Sequence, residues 1–259
     1  MADGGRLFTF GCSFTEYFWP TWADLVWLAL GKPEGSLNYG VPGCSNEYVF
    51  SSIMKADDIH NINSNDIVIV YWSAWPRDSF FSSLETRWLH CSKDEQPARI
   101  LGEIKSCDII SYAVRDLSYV KAVHGYLKHK GCEFYTNSLN EPILTGPYKL
   151  FDSSNYAGWY SWEKYSVANP QEDNRRKHKK LLEHLKYDTH PSPYEHWKYS
   201  KAWLPAKLIC DSEQVKRIQA KWEEDIITTF DTSEPWPHFR ATGDPYDKMN
   251  PSKGVFEHD

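Results

Sequence analysis

Ser13, His190 and Asp188 are the residues of this chain whose types and order can do nucleophilic chemistry. A serine hydroxyl attacks at neutral pH once an imidazole takes its proton, and the imidazole needs a partner that fixes its tautomer. An acyl-transfer site also needs N–H donors for the oxyanion that forms at the carbonyl. His190 is the candidate base and Asp188 the candidate orienting carboxylate. The backbone N–H groups of Ser13 and Gly43 are the candidate oxyanion donors. Serine first and histidine last is one of several chain orders in which this geometry recurs. Each residue has a plainer use as well. Ser13 can cap the next helix, Gly43 can end a strand, and His190 can satisfy backbone groups in a loop.

The elements that must position these groups follow from the apolar pattern. Leu7-Phe8-Thr9-Phe10, bounded by Gly4, Gly5 and Gly11, predicts a buried strand that ends just before Ser13. A helix is expected from about Thr21 to Leu30, then a short strand at 36–39. The loop Gly40-Val41-Pro42-Gly43-Cys44-Ser45-Asn46 leads into a second helix reaching about Lys55. Asp66 to Trp72 is a β-branched run that predicts a central parallel strand. Residues 79–106 have no clean period and are read as an insertion. Apolar positions at Ile110, Ala113, Val114, Leu117, Val120, Val123 and Leu127 predict a helix over 108–130 that stops at Gly131. A fourth strand is expected at 132–136. Strands alternating with helices predict a three-layer α/β/α sandwich around a mainly parallel sheet of four or five strands.

Residues 140–187, rich in Trp, Tyr, Asn, Pro and Ser, are expected to cover the carboxyl edge of the sheet, with a charged helix near 172–185. A helix from Tyr194 to about Leu204 closes the domain, which spans 1–204. The remaining 205–259 are expected to carry one amphipathic helix (Val215, Ile218, Trp222, Ile226) and a polar, draped tail.

At this point three blocks resemble the SGNH/GDSL hydrolases. Gly11-Cys12-Ser13-Phe14-Thr15 is similar to their first block, with Cys12 where they carry Asp. Asn38-Tyr39-Gly40-Val41-Pro42-Gly43 is similar to the second, whose last glycine donates to the oxyanion. Asp188-Thr189-His190-Pro191-Ser192-Pro193, with His196 beyond it, is similar to the last block. The resemblance covers 5–80 and 108–204. It implies a flavodoxin-like SGNH fold and a serine esterase working through an acyl-enzyme, without a cofactor or a metal. The variant blocks are similar to a subgroup frequent in phage and environmental genomes. Two departures stand out. The family's Gly-x-Asn-Asp block after the third strand is Ser73-Ala74-Trp75-Pro76 here, so its oxyanion Asn is missing and Ser73 is the candidate stand-in. The usual Asp-x-x-His spacing is Asp-x-His. His196 is read as structural.

Composition bounds the partners. The 259 residues carry a net charge of −6 and 25% charged residues, and the only basic cluster is Arg175 to Lys180. A solvated helix face explains that cluster better than a phosphate-binding stripe, so nucleic acid is not expected as a partner. No apolar run approaches the ~20 residues of a membrane span, and the N-terminus lacks a secretion signal. The six Cys are scattered without a Cys-x-x-Cys pair, and the ten His fall in no His-x-x-x-His pattern. A reduced cytoplasmic setting is expected, or a virion-associated one if the chain is phage-encoded. Twelve Trp and sixteen Tyr suit a surface that stacks on sugar rings. The expected substrate is therefore a small-molecule or carbohydrate ester, O-acetyl groups included. The rival reading is a non-catalytic glycan- or protein-binding module on the same fold; a metal hydrolase is a weaker third.

Overall fold

The computed structural model describes residues 5–75, 77–82, 87–92, 109–139, 190–230 and Met249. Four strands, β1 (Leu7–Gly11), β2 (Leu37–Gly40), β3 (Ile67–Trp72) and β6 (Glu133–Ser138), form a parallel sheet in the order β2-β1-β3-β6. Two more, β4 (Arg77–Ser82) and β5 (Arg87–Ser92), form an antiparallel pair. Five α-helices accompany them among the described residues: α1 (Trp22–Ala29), α2 (Asn46–His60), α3 (Ile109–Lys130), α4 (Pro193–Trp203) and α5 (Ser212–Phe230).

β3 is the central strand that its apolar run predicts. All six of its residues are buried, and it pairs in parallel with β1 on one side and β6 on the other. Side chains buried on both faces explain why the sequence has no polar alternation there. β1 is buried throughout as well, and its last residue, Gly11, registers with Gly40 on β2 and Tyr71 on β3. The chain therefore leaves β1 at the carboxyl edge, beside the point where the connections diverge to either side. Crevices at such points are where open parallel sheets bind ligands.

Local chemistry sets the helix ends. Thr21 caps α1 in a reciprocal box with Asp24, and Ser192 caps α4 in another with Glu195. At the amino edge of the sheet, Arg6 donates from its backbone N, Nε and Nη2 to the buried Asp66 carboxylate, tying β1 to the start of β3.

Part of the region read as an insertion is the β4–β5 pair. Its sequence does not alternate, so period 2 could not reveal it. The described part of the chain after residue 204 packs on what precedes it. Leu25, Cys210 and Val215 share one apolar cluster, and Trp197 Nε1 donates to the Cys210 carbonyl at 2.8 Å. Met249 is buried and its N–H donates to Asp24 Oδ1 at 3.1 Å, so that residue of the tail lies against α1. The expected cover at 140–187, its helix at 172–185 and the rest of the tail lie outside the described residues.

Three histidines make the fold acid-sensitive. Burial pushes His124 down to about 4, burial together with the nearby Arg77 does the same to His90, and burial beside His190 takes His196 to about 3. In the unfolded chain each returns to about 6.5. Between about pH 6.5 and 4 the unfolded state therefore binds protons that the folded state refuses, and stability falls as the pH falls. Asp116, which burial pushes up to about 6, opposes this, because its folded form takes a proton before its unfolded form does. His60, also lowered by burial, acts with the three, and Glu47 and Glu195, raised by burial, act with Asp116; the large shifts of His90, His124 and His196 set the net sign. The urea midpoint is expected to be lower at pH 4.5 than at pH 7, and an unchanged or higher midpoint would contradict it.

Candidate active site

The turn after β1 holds Ser13. The Cys12 carbonyl accepts from Thr15 N at 2.8 Å and Glu16 N at 3.1 Å, which closes a tight turn with Ser13 inside it. Beyond it, the Thr15 carbonyl accepts from Thr21 Oγ1 at 2.6 Å and from Asn38 Nδ2 at 2.9 Å. Asn38 Oδ1 in turn accepts from Thr9 Oγ1 and Gly40 N. The Asn38-Tyr39-Gly40 block is thus a brace for the Ser13 turn, and its glycine has a steric reason. A Cβ on Gly40 would lie 2.7 Å from Glu16 N.

His190 meets this turn from the other end of the chain. Its Nε2 lies 2.8 Å from Ser13 Oγ. Tyr17 stacks on the imidazole with centroids 3.9 Å apart and planes 16° from parallel, and Phe14 packs at 5.3 Å. The next residue is tied down as well: Trp19 Nε1 donates to the Pro191 carbonyl at 2.7 Å, one residue before the Ser192 cap of α4. The ring is therefore held by stacking and by a fixed backbone on its C-terminal side. Asp188 lies outside the described residues. His196 is buried on α4 with its ring edge-on to Phe14 at 6.4 Å.

The loop after β2 sits against the same turn, because Val41 N and Cys44 Sγ both donate to the Gly11 carbonyl. Gly43 has φ +79, a conformation that favours glycine. Among the described residues, neither the Ser13 N–H nor the Gly43 N–H donates to a protein acceptor. Both are available to a ligand oxygen.

Ser73 is not available in this way. Its Oγ donates to the Cys44 carbonyl at 2.6 Å and accepts from Arg77 Nη1 at 2.9 Å. A hydroxyl has one proton, and here it is used to hold the Gly43 loop from behind, so the expected third oxyanion donor is corrected. The Ser73 N–H goes to Asn46 Oδ1 at 2.6 Å, and Asn46 Nδ2 to the buried Asp116 at 2.7 Å. Arg115 links Asp116 to Asp78 on β4, which docks the β4–β5 pair on α3.

No family model matches the chain, and no curated protein matches it. Among the described residues, no three of the His, Cys, Asp and Glu side chains gather as a metal-ion site. No helix among them is long and apolar enough to cross a membrane.

Sequence reasoning missed the residues that hold His190. Tyr17 and Trp19 stand only a few positions after Ser13, and their nearness to a candidate nucleophile was a usable signal. It missed Ser79 and His90 of the β4–β5 pair too, since nothing in their spacing marks them. Cys12, beside the candidate nucleophile, is wholly buried.

Proposed function

We propose that this chain is a serine hydrolase that cleaves an ester or O-acyl group, carbohydrate esters included, through an acyl-enzyme. The 2.8 Å contact between Ser13 Oγ and His190 Nε2 carries this reading, because it brings a hydroxyl and an imidazole from residues 177 positions apart within the reach that proton transfer needs. Ser13 Oγ attacks the carbonyl carbon while His190 Nε2 takes the hydroxyl proton. The carbonyl electron pair moves onto oxygen, where the Ser13 and Gly43 N–H groups donate. When the tetrahedral intermediate collapses, His190 returns its proton to the departing alcohol. Water then enters by the same route in reverse and frees the acid and Ser13. Asp188 is assigned the orienting role.

The fold we assign is the three-layer SGNH sandwich. The sheet order supports it, since right-handed crossovers from β1 to β2 and from β2 to β3 put α1 and α2 on opposite faces.

One observation favours the rival reading of a binding module: the Ser73 hydroxyl is already used. A lost oxyanion donor lowers kcat by about 100-fold or more, which weakens an esterase without abolishing it. A fluorophosphonate probe separates the two. Covalent labelling mapped to Ser13, with a burst of p-nitrophenol from p-nitrophenyl acetate, is expected of the hydrolase. No label and no burst leaves the binding module.

A further inference from the structure

The missing third donor has a candidate on the β4–β5 pair. His90 on β5 leans over the Gly43 loop: its Cβ is 3.9 Å from where a Cβ on Gly43 would stand. Two contacts fix the ring. Tyr48 of α2 meets it edge-on, with centroids 5.0 Å apart and planes at 89°, and Ser79 Oγ lies 2.8 Å from its Nδ1.

Ser79 also determines which nitrogen carries the proton. Its Oγ accepts the Ser45 N–H at 2.9 Å, and the residue is buried at 2% exposure. Among the described residues the hydroxyl's other contact is His90 Nδ1. A buried hydroxyl proton needs an acceptor, so Ser79 donates to Nδ1 and the imidazole is the Nε2–H tautomer. Among the described residues that Nε2–H has no protein acceptor. It is an N–H donor held beside the loop whose own N–H is open.

We propose that His90 contacts the substrate as a neutral donor, its Nε2–H supplying the oxyanion hydrogen bond that Ser73 does not, with Ser79 as its positioning residue. This rests on the ester-hydrolase reading of Ser13 and His190. His90 transfers no proton: the proton of Ser13 goes to His190, and His90 shares its N–H with the oxygen that gains charge. Burial and Arg77, which push His90 down to about 4, keep it uncharged near neutrality. A neutral imidazole is able to polarise a carbonyl in this way.

The test separates failure of this inference from failure of the hydrolase reading. Wild-type protein is first labelled with a fluorophosphonate and assayed on p-nitrophenyl acetate; without label at Ser13 both readings fall. With it, His90→Leu is expected to lower kcat by about 100-fold with KM changed far less, while Ser13 still takes the label. His90→Gln, which keeps an N–H donor, is expected to recover a substantial part of the rate. Ser79→Ala, which frees the tautomer, falls between. In the wild type, imidazole 15N shifts at pH 7 are expected to give the Nε2–H form for His90. A wild-type rate in His90→Leu overturns the proposal. So does a His90→Gln variant as slow as His90→Leu, since packing alone would then account for the loss. An Nδ1–H tautomer overturns it independently of any variant's folding.

Discussion

Ser13→Ala is expected to lower kcat/KM toward p-nitrophenyl acetate by about 10,000-fold or down to the uncatalysed background. His190→Ala should do nearly the same. The two act as one unit: without the imidazole the hydroxyl keeps its proton, and without the hydroxyl the imidazole has no proton to take. The double variant is therefore expected to lose little more than either single one, the non-additivity of a shared proton transfer. Two independent contributions would multiply instead, and a double variant slower by the product of the single losses would count against the unit. The variants differ in stability. Ser13→Ala removes one oxygen from a buried turn whose hydrogen bonds run through backbone groups of Cys12, Thr15 and Glu16. His190→Ala also removes the ring on which Tyr17 and Phe14 pack. The urea midpoint should fall for His190→Ala and stay close to wild type for Ser13→Ala. Full activity in either variant would remove Ser13 and His190 from the mechanism.

What the sequence made legible divides along physical lines. β1, β3 and α3 were readable because burial imposes a period or an unbroken apolar run, and those survive in one dimension. The starts of α1 and α4, at Trp22 and Pro193, lie within a residue of the Thr21 and Tyr194 that the pattern predicts. The meeting of Ser13 with His190 was reached only through the order of the three motif blocks. No local pattern reports a contact between residues at opposite ends of a chain. The role of Ser73 was misjudged for a related reason. Its residue type fits a donor, but only the neighbouring carbonyl of Cys44 decides where its proton goes. The β4–β5 pair escaped because charged and hydroxyl side chains on it are satisfied by α2 and α3. Asp78 meets Tyr112 and Arg115, and Ser79 meets Ser45 N. Those partners let a strand keep polar residues that a sequence pattern assigns to solvent.

Gly40→Ala is expected to damage the site more than the fold. The added Cβ would lie 2.7 Å from Glu16 N, 2.8 Å from Glu16 Cβ and 3.0 Å from Thr15 Cβ. Those atoms belong to the backbone and the stems of the turn that carries Ser13, so no flexible side-chain end can swing away. Two rigid pieces must part: the end of β2, held in register with Gly11, and the turn itself, closed on the Cys12 carbonyl. Overpacking of this kind costs about 1–3 kcal/mol, which a domain of ordinary stability survives. Catalysis is less tolerant, because a shift of about 1 Å in a reacting group lowers the rate by about 100-fold. The expected result is a folded protein with kcat/KM about 100-fold below wild type and slower fluorophosphonate labelling of Ser13. Gly125→Ala is the matched control. Gly125 lies within α3, with nothing inside 4 Å of the added methyl, and alanine favours a helix interior over glycine by about 0.5–1 kcal/mol. That variant should be as active as wild type and slightly more stable. A Gly40→Ala protein that labels and turns over at the wild-type rate would mean that β2 does not hold the nucleophile turn in place.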